Sequence, residues 1–144
     1  MFEIDNLDKS IAINLNPQSL AFVGDAVFSL YIRQRIVLAD EVNVNLQHKL
    51  TTNYVKASGQ SEIIAKISEL LTEEELKIFK RARNYKTNNI AKNAKVVDYK
   101  RATGLEALIG YLYLTGNNNR LTELLNIGYD IIHKEINNNA TNRG

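Results

Sequence analysis

Two acidic side chains stand where acids are expensive. From Leu20 to Ile32 the chain runs thirteen residues with a single charge, Asp25. From Thr103 to Leu114 it is again apolar almost throughout, and again it holds a single charge, Glu106. A carboxylate in an apolar helix costs free energy unless something positive meets it. Taken singly, either acid reads as a capped or salt-bridged structural residue. The same exception on both of the most apolar stretches points instead to a site. Two carboxylates brought together in a poorly solvated place repel, and a bound cation relieves that. Magnesium suits hard oxygen ligands and keeps several of its waters. The chemistry on offer is metal-assisted hydrolysis, with an acidified water and an offset for charge growing on a phosphate.

Both acids need helices to carry them. Leu20, Val23, Val27, Leu30 and Tyr31 recur at helical spacing, and Phe22, Ala26 and Ser29 line a second face. Pro17 suits a first helical turn. The spacing predicts a helix over 18–38, apolar on most sides and therefore buried. A second acidic helix is expected over 98–114. Its Gly104 and Gly110 leave thin places where another backbone can approach, so packing of the two helices would let Asp25 and Glu106 meet.

Other helices are expected over 45–57, from Ser61 through Ile63, Ile64, Ile67 and Leu70, from Thr72 to about Asn84, and over 120–136, where Gly128 could bend the last. Thr72 and Glu75 have the spacing of a capping box. Ser58-Gly59 reads as a break and 115–119 as a turn. Residues 84–96, rich in Asn and Lys, read as a loop, 1–16 as a lead-in that packs onto the body, and 137–144 as a disordered tail. There is no internal repeat, no useful strand alternation and no glycine-rich phosphate loop. The expectation is an all-α single domain over 1–136.

Composition narrows the classes. With 144 residues, 44% of them hydrophobic, the chain suffices for one domain with a real core. The absence of cysteine excludes disulfides, thiolate zinc sites and cysteine nucleophiles. Two histidines far apart, His48 and His133, do not suggest a histidine metal cage. No apolar run reaches the roughly 18 residues of a membrane span, and the acidic start does not resemble a secretory signal. A cytoplasmic protein without a membrane partner is expected.

The net charge of +2 conceals a contrast. Between Lys80 and Arg101 stand eight basic residues and one acid, Asp98, so the rest of the chain carries −5. A basic block on a near-neutral domain suggests a polyanion. Its alternative is an ordinary solvated face.

These residues resemble a known family. Phe22-Val23-Gly24-Asp25-Ala26-Val27 is similar to the signature of ribonuclease III catalytic domains, and Leu105-Glu106-Ala107-Leu108-Ile109-Gly110 to the family's second acidic motif. Within the family the sequence most resembles the Mini-III form, which is the catalytic domain alone. His48-Lys49, Tyr54-Val55-Lys56-Ala57, Gln60, the segment from Lys80 to Lys86 and Lys92-Asn93 also match. The larger ribonuclease III pattern has a Glu one turn before the signature Asp, here Ala21, and an Asp three residues before the second Glu, here Thr103. The Mini-III form shares both losses. Two acids favour one magnesium ion over two.

The resemblance implies a magnesium-dependent endoribonuclease that cuts double-stranded RNA with a stagger and leaves 5′-phosphate and 3′-hydroxyl ends. Asp25 and Glu106 would be both catalytic residues and metal ligands. His48, Lys49, Lys80, Arg81, Arg83, Asn84, Lys86, Lys92 and Asn93 would bind RNA, which proteins read mostly through shape and backbone. Tyr85 and Tyr99 would pack on sugars or anchor the loop. His133 reads as a surface or helix-end residue.

Two strands need two sites, so a homodimer is expected. Phe22 would lodge in the partner subunit, its alternative being ordinary core packing. No separate double-stranded-RNA-binding domain is expected. The implied substrate is the large-subunit (23S) ribosomal RNA precursor, with a ribosomal assembly intermediate as a candidate partner. The rival functions are a non-catalytic RNA-binding or ribosome-assembly module and a helical protein-interaction domain.

Overall fold

A computed structural model describes residues 5–39, 44–86 and 95–142, and among them every regular element is helical. In order these are α1 (Lys9–Ala12), α2 (Pro17–Leu38), α3 (Val44–Val55), α4 (Ala57–Ile67) with a 3-10 turn at Ser68–Leu70, α5 (Glu73–Arg83), α6 (Val96–Leu114) and α7 (Asn118–Asn142). None is long and apolar enough to cross a membrane.

The most uniformly apolar helix lies at the centre. α6 buries residues all round its circumference, from Leu105 and Ala107 through Leu108, Ile109, Tyr111 and Leu112. A helix with no polar face has to be enclosed, and α2, α4, α5 and α7 enclose it. Phe28 and Ile32 of α2, Ile63, Ile64 and Ile67 of α4, Phe79 of α5, and Leu124 and Leu125 of α7 complete one continuous core.

α6 stops in a Schellman closure. Gly116 takes φ +75°, a left-handed conformation that suits glycine, while its N–H meets Tyr113 O at 3.1 Å and Asn117 N–H meets Leu112 O at 2.9 Å. α5 starts with the expected capping box. Thr72 N–H donates to Glu75 at 2.9 Å, and Glu75 N–H donates to Thr72 Oγ1 at 3.1 Å. Glu75 is buried and also receives two hydrogen bonds of 2.9 Å from Arg120 of α7. Burial pushes the Glu75 carboxyl up, but Arg120 and Thr72 together hold it below the usual value. The lead-in is tied down by Leu7 N–H donating to Leu114 O at 2.8 Å.

Three expectations need correction. Ser58-Gly59 does not break the chain, because α4 starts at Ala57 and runs through both. The backbone stays helical beyond Ile136 to Asn142, where the Asn-rich sequence suggests a disordered tail; intrinsic propensity is a weak guide once a helix is already propagating. The third concerns α2, which is not buried on most sides. Leu20, Ala21, Val27, Phe28, Ile32 and Ile36 face the core, while Phe22 is 82% exposed and Leu30, Val37 and Leu38 also face outward. The chain's own core has room for only one of the helix's two apolar faces.

Candidate active site

Glycine sets the separation of the two acidic helices. A Cβ on Gly24 would lie 1.7 Å from the backbone oxygen of Glu106, and one on Gly110 would lie 2.0 Å from the backbone oxygen of Leu20. α2 and α6 therefore cross with main chain against main chain. Asp25 follows Gly24 directly, and the Glu106 carbonyl rests on Gly24, so the crossing carries both acids to one place. They line the same cleft, of about 250 Å³.

Asp25 is exposed and Glu106 half-buried. Among the described residues no basic side chain pairs with either. Burial is the main reason that the Glu106 carboxyl is raised from 4.5 to about 7; a hydrogen bond from Gln60 opposes the rise and the charge of Asp25 adds to it. Gln60 Nε2 donates to Glu106 Oε1 at 2.9 Å.

This has a consequence for stability in the absence of metal. Glu106 binds its proton more tightly folded than unfolded, so the folded state is favoured at low pH. Stability falls as the pH rises from about 4.5 to about 7 and is level above that, with a loss of roughly 3 kcal/mol at most. Urea unfolding in a chelator across this range should show the fall, and Glu106→Gln should remove it.

The donor set fits a hard cation. Two carboxylates face one cleft, neither in an ion pair among the described residues, and burial makes one of them hold its proton unusually tightly. Among the described residues no group of three or more His, Asp or Glu side chains gathers around an ion site. Two oxygen donors leave most of a coordination shell to water and substrate, which suits magnesium. Ala21 and Thr103, which stand where the four-acid pattern has carboxylates, line this same cleft.

The basic residues divide. Arg83 lines the acid cleft, with its guanidinium 5.5 Å from the Phe79 ring and its Nε donating to Asn84 Oδ1 at 3.1 Å. Lys80 and Lys86 are exposed. Arg81 instead donates to the carbonyl of Ile13 and lines a separate cleft with Lys77 and Pro17. His48 lines a further hollow with Arg33, Val37 and Thr51, apart from the acids. The side chain of Lys49, and Lys92 and Asn93 entirely, lie outside the described residues. His133 is exposed and stacked on Tyr129.

Three further residues line the site, of which Tyr85 and Tyr99, but not Lys100, had been given a place beside the RNA from sequence. Lys100 and Tyr99 line the acid cleft, as does Tyr85, whose hydroxyl accepts from Asn16 at 3.3 Å. Lys100 was legible only as one charge in a basic block. Gln60 had a clearer signal, since it sits on the apolar stripe formed by Ile63, Ile64 and Ile67, an unusual position for an amide.

A helical domain that crosses two acidic helices beside cationic side chains has the makings of a metal-dependent phosphodiesterase. The chain matches the ribonuclease III domain family over residues 18–117. It is 47% identical over 128 residues to the Mini-ribonuclease 3 of Thermoanaerobacter sp. (strain X514), a match covering 89% of this chain and 90% of that protein. Over 131 residues it is 44% identical to the Mini-ribonuclease 3 of Clostridium tetani, covering 90% and 87%. An X-ray structure of a Fusobacterium nucleatum protein matches the fold with a TM-score of 0.74 at 37% identity, covering 81% of this chain and 93% of that one. The chain belongs to the ribonuclease III family and, within it, to the Mini-ribonuclease 3 group. It is a ribonuclease III-type endoribonuclease, and the non-catalytic alternatives fall away. Membership implies a divalent metal and a double-stranded RNA substrate.

Proposed function

We propose that this chain, as a homodimer, cleaves double-stranded RNA with magnesium held by Asp25 and Glu106, leaves 5′-phosphate and 3′-hydroxyl ends, and matures the large-subunit (23S) ribosomal RNA precursor. The observation that carries this reading is the meeting of two acids, neither in an ion pair among the described residues, in one cleft whose wall also presents Arg83 and Lys100. Magnesium bound there supplies positive charge to the phosphodiester and lowers the pKa of a water.

The chain's own groups do the rest. Asp25 and Glu106 provide the oxygen ligands. Arg83 presents a planar fork that grips phosphate oxygens, and Lys100 acts as a point charge. Lys80, Asn84 and Lys86 extend the cationic rim from the end of α5 along the RNA backbone, and Lys92 and Asn93 belong to the same basic segment. His48 and Lys49 on α3 serve an outer contact, and Arg81 divides its role between RNA and the lead-in. The ribosomal substrate rests on the family likeness, as does the place of action, the cytoplasm. A ribosomal assembly intermediate is the natural setting in which the precursor would be met.

The dimer is argued from α2. Phe22, Ala26, Leu30 and Val37 are exposed along one side of the helix, and Phe22 also borders the acid cleft. A two-fold pairing of α2 with its copy buries this stripe and sets two sites on two strands. Phe22→Ala removes one buried ring from each copy. It should weaken the dimer by about 3 kcal/mol, roughly 100-fold. Sedimentation at micromolar concentration checks this, with the parent protein dimeric and the variant dissociating.

The decisive assay incubates the protein with a long RNA duplex and with the same strands unpaired, with and without magnesium. Cutting confined to the duplex with magnesium supports the proposal. Equal cutting in chelator, or of single strands, defeats it.

A further inference from the structure

The apolar stripe of α4 holds Ile63, Ile64 and Ile67, each at most 2% exposed. Gln60 completes the stripe one turn earlier and is itself 2% exposed. An amide in that slot gives up apolar burial and costs free energy unless it is hydrogen-bonded. Its bond crosses from α4 to α6, from Nε2 to Glu106 Oε1 at 2.9 Å. An ionised carboxylate only accepts, so the amide must turn its nitrogen to the acid. No other side-chain hydrogen bond or ion pair to Glu106 occurs among the described residues.

We propose that Gln60 is a positioning residue, holding the Glu106 carboxylate in the orientation in which that acid meets the metal. This rests on the assignment of Glu106 as a metal ligand. Asp25 lies exposed beside water, whereas Glu106 sits in a wall of the core and depends on a protein donor to fix its plane. Partners that orient a metal ligand in this way are worth roughly 10- to 100-fold in metal affinity.

The test uses the full chain and manganese as the probe, with free ion counted by electron paramagnetic resonance. Gln60→Leu keeps the bulk and removes the donor. It should weaken manganese binding roughly 10- to 100-fold while the urea midpoint without metal holds or rises. Added to Glu106→Gln, the same change should cost nothing further, because its action runs through the acid. Gln60→Met, close in volume and flexible, carries the test if the Leu variant does not fold.

A folded Gln60→Leu or Gln60→Met protein that binds manganese within about threefold of the parent, far less than the loss usual for such partners, overturns the proposal. A lowered urea midpoint with unchanged manganese affinity does the same and makes Gln60 merely structural. If Glu106→Gln alone binds manganese like the parent, the metal assignment itself fails and this proposal fails with it. That result is distinct from a loss confined to the Gln60 variants.

Discussion

Asp25→Asn protein should fold, still bind duplex RNA, and cut it on the order of 10³-fold more slowly than the parent. The change keeps the shape of the side chain and removes its charge. Asp25 is exposed at the mouth of the cleft, so no core contact is lost. On the proposed function, what is lost is half of a two-carboxylate donor set. Metal catalysis contributes several kcal/mol to the stabilisation of transition-state charge, and each 1.36 kcal/mol is tenfold in rate. The cationic side chains on the cleft wall are untouched, so binding of the duplex should persist. Single-turnover cleavage and gel-shift measurements on one preparation separate the two effects. Normal cleavage by this variant would end the assignment of Asp25.

The second large effect is on the fold. Gly24→Ala should destabilise the protein by about 3 kcal/mol, and cleavage should fall with it. The new methyl would stand 1.7 Å from the Glu106 carbonyl oxygen and 2.9 Å from the Gly110 nitrogen. Both are backbone atoms of the central helix and cannot swing aside, so the helices must part. The gain in helix propensity from Gly to Ala, about 1 kcal/mol, is too small to offset this. Gly128→Ala is the matched control. There the methyl would meet the Ile63 side chain at 3.1 Å, a contact that can give. Urea denaturation of the two variants should separate them clearly, with Gly128→Ala within about 1 kcal/mol of the parent.

What the sequence disclosed, and what it withheld, follows from the range of each signal. Helical spacing is local, so α2, α5 and α6 could be placed within a residue or two, and the Thr72–Glu75 capping box could be placed to the residue. The convergence of Asp25 and Glu106 was legible because each is the sole charge in a stretch otherwise fit for burial. Gly110 correctly announced the close approach of α2, although the partner face, with Gly24 at its centre, came only from the structure, and Gly104 is covered instead by Phe79 of α5.

Other features depend on chain-distant partners. Arg120 is one arginine among several until α7 lays it against Glu75. Arg81 belongs to the basic block by count, yet its reach is spent on the lead-in carbonyl of Ile13. Phe22 by its residue type suited a core more readily than an interface, and only the family resemblance spoke for the interface, because an apolar face does not say which surface covers it. Gln60 stood out of its stripe, but its purpose required knowing what lies across from α4.

The bare crossing of α2 and α6 has one more consequence. Because the floor beneath the acids is built from main chain, its depth is dictated by helical geometry and offers evolution nothing to adjust. On the proposed function, retuning of this cleft toward one duplex over another falls to its walls, at the end of α5 and the start of α6, where residues can be exchanged without reseating the acids. A library seeking altered sequence choice belongs at those positions and should leave the glycines alone.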